Sequence, residues 1–219
     1  MRRFIAVSSL VLMAACATAT TTTTEPVTVD TPPSVEKPVM PSAFGLAMET
    51  VTGLVEAGNE QLAIDRIKQL LGNPALTDAE KAEALMALGE IRYSEAGSDV
   101  FGAIDAWDEL IDYYPESEFA IAADPLRATA RGEATSLNFA VETGDLSPTE
   151  KFEYMFRLGL HQDAADMMLD RNLTPANKYL VDMFQIGYLC DDAELTGPSY
   201  EMTEPDNTVR TVRFCEFGK

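Results

Sequence analysis

Histidine is almost absent from this 219-residue chain: His161 is the single copy. No CxxC and no HExxH spacing accompanies it, so a Cys/His metal centre has no ligand set to draw on. There is no P-loop, no GxGxxG and no GxSxG, which removes the usual phosphate cradles and the nucleophile elbow. None of the many acids falls into an EF-hand loop. Positive charge is scarce, with 16 Lys plus Arg against 36 Asp plus Glu and a net charge of −20. Such a surface repels phosphate backbones and anionic head groups, which argues against nucleic acid as a partner. A basic partner is compatible with it, although acidic charge also serves solubility alone.

What is present begins with an export signal. Arg2 and Arg3 precede an apolar segment, Phe4 to Met13, too short to span a bilayer. The small residues Ala14 and Ala15 follow, and then Cys16. This order resembles the signal peptide of bacterial lipoproteins, spanning residues 1–15. The resemblance implies that Cys16 becomes the first mature residue and carries the lipid. Ala17 is not Asp, which by the sorting rule of enteric bacteria implies the outer membrane, with the domain facing the periplasm. The alternative is cleavage at Ala17-Thr18-Ala19, giving a soluble periplasmic or secreted protein. Residues 16–41 are rich in Thr and Pro, including Pro26, Pro32, Pro33, Pro38 and Pro41. Repeated Pro favours extended backbone, and few large apolar residues are available to offset ordering. The segment reads as a disordered tether reaching up to roughly 75 Å when extended.

Residues 42–189 carry helical periodicity. Phe44, Ala47, Val51, Leu54 and Val55 form one stripe after a candidate N-cap, Ser42. Leu62, Ala63, Ile67, Leu70 and Leu71 form a second, ended by Gly72-Asn73-Pro74. Thr77 and Glu80 make a capping box, and Leu85, Leu88 and Ile91 line the helix behind it. After a turn at Gly97-Ser98, an apolar stripe runs from Val100 through Ala103 and Trp107 to Tyr114, with Pro115 beyond. Trp107, the single Trp, reads as core. Asp124-Pro125 then divides a short helix from a longer one, Pro125 to about Glu142. Further helices are expected from Ser147 to about Leu160, Gln162 to Arg171 and Thr174 to Leu189. His161 falls at a junction, as a capping or exposed residue. The methionines Met155, Met167, Met168 and Met183 read as gap-fillers of a core rather than as an adaptable surface.

The hairpin from Ala82 to Pro115 resembles a tetratricopeptide repeat. Leu85, Leu88 and Gly89 take the large, Leu and Gly positions of its first helix, and Ala103, Trp107 and Pro115 the small, aromatic and final Pro positions of its second. The turn holds about two more residues than the 34-residue frame. The family's aromatic position falls on Arg92, with Tyr93 beside it. Ala63 and Ile67 echo Ala103 and Trp107 forty residues earlier, which suggests at least two degenerate repeats. Tyr114-Pro115-Glu116-Ser117-Glu118-Phe119-Ala120 looks like the inter-repeat turn of periplasmic tetratricopeptide lipoproteins that support outer-membrane assembly. The resemblance implies a surface that binds proteins or peptides, with Glu83, Met86, Glu90 and Tyr93 on the groove side of the first helix. The acids among them suit a basic ligand.

Residues 190–219 change character. Tyr200 to Thr203 and Val209 to Phe217 read as a hairpin turning at Pro205-Asp206-Asn207. Cys190 and Cys215 are the cysteines left after processing, and in an exported protein an even pair reads as a disulfide. Such a bridge would pin the strand pair to the last helix and contribute roughly 3 kcal/mol. The competing reading is two reduced thiols.

The expected fold is thus all-α, a short tetratricopeptide-like stack with a small C-terminal β-hairpin tail. The expected function is a non-enzymatic envelope scaffold, with no cofactor and no metal, that contacts other envelope proteins or peptides and reaches the membrane through its lipid. The alternative is an envelope enzyme or enzyme subunit whose carboxylate pair no motif reveals.

Overall fold

A computed structural model describes residues 42–191 and 195–215. The signal peptide, Cys16 and the tether to Pro41 lie outside these residues, as does Phe217 at the end of the expected final strand. Among the described residues the chain is mostly helical with a small antiparallel sheet near its C-terminus. No described helix is long and apolar enough to cross a membrane.

Five helices come first: α1 (Ala43–Glu56), α2 (Glu60–Leu71), α3 (Asp78–Tyr93), α4 (Val100–Tyr113) and α5 (Glu118–Thr143). Four of the five, all but α2, start at a side chain that satisfies a free backbone N–H group. Ser42 Oγ accepts from Gly45 N, and Thr77 and Glu80 exchange both bonds of a capping box. Asp99 accepts from Gly102 N and Ser117 from Ala120 N. Each helix packs on the next, and α3 also touches α1 and α5, so those three lie side by side.

The middle helix explains the packing. Ala84, Leu88 and Ile91 of α3 join Phe44, Val51, Ala63 and Ile67 in one apolar cluster. Ala82 and Leu85 of the same helix turn to a second cluster with Ala103, Trp107 and Leu110. Trp107 is fully buried against Gly89, where any Cβ would overlap the indole ring. Leu62 departs from the expected stripe. It is 56% exposed, and Ile64 is buried in its place beside Ala63 and Ile67. Positions 63, 64 and 67 keep i, i+1, i+4 spacing on one face, which position 62 leaves.

The expected break at Asp124-Pro125 does not occur: α5 is one helix of 26 residues with Pro125 inside it. Proline removes one i→i−4 bond but does not forbid the helix when packing holds both sides. Here Ala120 and Ala123 before it and Ala130 and Ala134 after it all pack into the second cluster. Arg127 and Arg131 also grip Asp108 of α4, at 2.9 and 2.7 Å.

The C-terminal part holds α6 (Pro148–Leu158), α7 (His161–Asp170), α8 (Asn177–Gln185) and strands β1 (Leu189–Asp191), β2 (Tyr200–Thr203) and β3 (Val209–Phe214). The hairpin β2–β3 forms as read, Tyr200 facing Val212 and Thr203 facing Val209. Its turn places Asn207 at φ 68°, with Asp206 accepting from Thr208 N. The last helix, however, ends at Gln185, and Leu189–Asp191 is a strand on the other edge of β3, giving the order β1-β3-β2. Gly187 at φ 82° reverses the chain there. The cysteine pair therefore links the edge strand β1 to the end of the central strand β3 rather than the sheet to a helix. Cys190 sits in β1, Cys215 follows β3, and their Cα atoms are 5.1 Å apart, at disulfide distance. Phe152, Phe156, Met168, Met183, Met202 and Val212 make a third cluster shared by α6–α8 and the sheet. Three of the four methionines expected to fill gaps, Met155, Met168 and Met183, are buried in it.

Candidate functional site

The outward side of α3 was expected to carry a groove, and the four residues assigned to it part company. Tyr93 is tied down. Its hydroxyl donates to Glu133 Oε2 of α5 at 2.8 Å, and its ring meets Trp107 edge-on with centroids 5.6 Å apart. Arg157 of α6 lies over the same ring at 5.0 Å and grips Glu133 through Nε at 2.7 Å. Its Nη1 donates to the carbonyls of Tyr93 and Ser94, both at 2.9 Å, so it also closes the C-terminus of α3. Burial alone would raise the Glu133 carboxyl, but hydrogen bonds from Arg157 and Tyr93 bring it below its ordinary value. Met86 packs beside the second apolar cluster, and Glu83 is half-buried.

Glu90 alone of the four reaches an open trough. The trough has a volume of about 330 Å³ and runs between α1 and α3. Met48, Val51 and Val55 supply its α1 side, Ala87 and Ile91 its α3 side. Glu56 and Glu90 stand at its rim, and the apolar surroundings raise the Glu90 pKa by burial. The sequence marks Val51 and Val55 of α1 as part of an apolar stripe but assigns no α1 residue to a groove. The signal was there in Met48, Thr52, Val55 and Glu56, spaced by three and four residues next to the core stripe Phe44, Ala47, Val51.

Arg92, which stands where the repeat family has an aromatic residue, ties the hairpin at its turn. Its Nη1 donates to Gly102 O at 2.9 Å and its Nε lies 3.6 Å from Asp99. Gly159, left-handed at φ 87° after α6, comes so close to Asp99 that a Cβ would overlap its carboxylate.

A second polar site lies where α2 meets α7 and α8. Glu60, His161, Asp182 and Gln185 line a cavity of about 20 Å³. His161 is not exposed, contrary to one of the two expectations for it. Its ring packs on Phe156 at 4.6 Å and its Nε2 is 3.3 Å from Ser98 O. Burial lowers its pKa, which keeps the imidazole neutral near pH 7. Asp182 is the more unusual group. Its Oδ2 is buried with no hydrogen-bond partner, and burial pushes its pKa up to about 6, with Glu60 adding to the rise and Lys178 opposing it. Two titratable groups shifted by their surroundings are what acid–base chemistry uses, but this cavity has room for about one water molecule. No group of three or more His, Cys, Asp or Glu suited to a metal occurs among the described residues.

No family model, no curated protein and no solved structure matches this chain.

Proposed function

We propose that this protein is a lipid-anchored envelope scaffold whose helical hairpins stack like tetratricopeptide repeats and bind a partner protein along the α1–α3–α5 side. The observation that carries the reading is the apolar trough between α1 and α3 with Glu56 and Glu90 at its rim. Its volume of about 330 Å³ suits one or two apolar side chains of a docked segment. The two acids, on a chain of net charge −20, favour Lys or Arg flanking those side chains. Under this reading Cys16 holds the domain at the outer membrane, facing the periplasm, and no cofactor takes part. Tyr93 and Met86 then support the wall of the face instead of touching the ligand.

A photo-crosslinking residue placed at Thr52 in living cells tests it. A discrete adduct is expected that disappears with Glu56→Lys plus Glu90→Lys. An adduct that is insensitive to both substitutions, or none at all, defeats the trough as a docking site. Labelling with a fatty acid that marks the wild type and spares Cys16→Ser tests the anchor separately.

The second reading, an envelope enzyme, draws on Glu60 and Asp182, two carboxylates lining one cavity. Its small volume leaves space for a water molecule rather than a sugar or peptide, which favours the scaffold.

A further inference from the structure

The C-terminal half of α5 carries a stripe of exposed and half-buried residues beside Ala134, which packs into the second apolar cluster and forms the floor of an open trough. Arg131, Ala134, Thr135, Asn138, Phe139 and Glu142 follow at intervals of three and four residues, on one face of the helix. With Phe101 and Ile104 of α4 they line an open trough of about 580 Å³. Phe139 is 67% exposed above it. Apolar area of this kind stays in water in a lone chain and is removed from it by a partner.

The stripe ends in opposite charges. Arg131, with a side chain 54% exposed, uses its Nη2 on both oxygens of Asp108, and its carbonyl accepts from the Thr135 hydroxyl at 2.8 Å. Glu142 is exposed and accepts from Asn138 at 2.9 Å. Laid antiparallel on a copy of itself, with a two-fold axis midway between Thr135 and Asn138, the stripe is self-complementary. Arg131 then faces Glu142 of the second copy. Phe139 faces the second copy's Ala134, where the small side chain leaves the ring room. Thr135 faces Asn138. Each contact occurs twice, as in any isologous pair.

We propose that this face of α5 binds a second copy of the chain as a symmetric antiparallel dimer. The net charge of −20 opposes pairing at long range. At physiological salt repulsion beyond about 8 Å is screened, and the charges at the seam itself are balanced. The dimer does not depend on the trough between α1 and α3, which lies on other helix faces.

Sedimentation equilibrium of the full-length chain at physiological salt tests the proposal. A monomer–dimer equilibrium near about 10 µM is expected, weakened at least about tenfold by each of Phe139→Asp, Glu142→Arg and Arg131→Glu. All three positions are exposed, and Arg127 still holds Asp108 when Arg131 is replaced, so circular dichroism should be unchanged. Mixing E142R with R131E should restore pairing, because both charge contacts of that heterodimer are again opposite. A wild type that stays monomeric to about 1 mM overturns the proposal. So does a dimer that tolerates F139D, or a mixture that associates no better than its components.

Discussion

Trp107 lies across Gly89 so closely that the glycine has no room for a methyl group. The indole is fully buried, and it faces α3 at the one position of that helix where backbone is bare. Gly89→Ala should gain about 0.5–1 kcal/mol from helix propensity and lose more to overlap with the ring. The net expectation is a destabilisation of about 1–3 kcal/mol, read as a lower urea midpoint with unchanged slope. A neutral or stabilising G89A would mean the two helices stand further apart than described.

Arg157 ties α6 to α3 and α5 through Glu133 and two carbonyls, and its side chain is only 23% exposed. Arg157→Ala should cost about 2 kcal/mol at neutral pH, since Glu133 would keep only the Tyr93 hydroxyl. The folded-state pKa of Glu133 lies below its ordinary value, so its contribution is present above that value and fades as pH falls. The gap between wild type and R157A should therefore narrow under acid, measured by urea unfolding at pH 7 and below pH 4.

Asp182 acts in the opposite sense. Its folded pKa of about 6 exceeds its ordinary 3.8, so the folded state binds the proton more tightly than the unfolded chain. Its contribution to stability is therefore complete below about pH 4, is lost as pH rises to about 6, and stays lost above. Asp182→Asn should raise the melting temperature at pH 7.5 and flatten its dependence on pH within that window. Glu60→Gln, which removes the facing charge, should move the Asp182 titration downward in a carboxyl-resolved NMR experiment. An Asp182 signal that titrates near 4 in the wild type would refute the buried assignment.

Cys190 and Cys215 close a loop over a sequence separation of 25. Replacing both with Ser should cost about 3 kcal/mol if the bridge forms, with the loss centred on the third apolar cluster. Amide exchange should accelerate in β1 and β3 while Trp107 fluorescence is unaffected. A free-thiol assay on unreduced exported protein that counts both cysteines would exclude the bridge.

The elements with local chemical signals were the legible ones. The capping box at Thr77 and Glu80 marked the start of α3, and the spacing of Ala103 and Trp107 marked the buried side of α4. The hairpin of Tyr200 to Thr203 with Val209 onward also followed from alternation and turn residues. What escaped depended on distant partners. Three residues, Leu189 to Asp191, are too few for alternation to register, and they are a strand only because β3 offers them an edge. Pro125 reads as a helix breaker until alanines on both sides are seen to pack on α4. Asp182 looks like any surface acid in its short helix, and nothing local says that α2 approaches it. For the groove, the repeat resemblance placed Tyr93 on the ligand side of α3, and nothing local says that Glu133 of α5 and Arg157 of α6 claim it.

The two-sided burial of α3 has a consequence for how the chain can be shortened. Residues Ala84, Leu88 and Ile91 are covered only because α1 and α2 bring Phe44, Val51, Ala63 and Ile67 against them. A fragment beginning after Pro74 would keep Gly89 and Tyr93 against Trp107 yet leave that second side of α3 wet. It should fold around its remaining clusters and aggregate through the uncovered one. In this sense α1 and α2 act as a cover for α3, shielding from water a side that its other neighbours leave open.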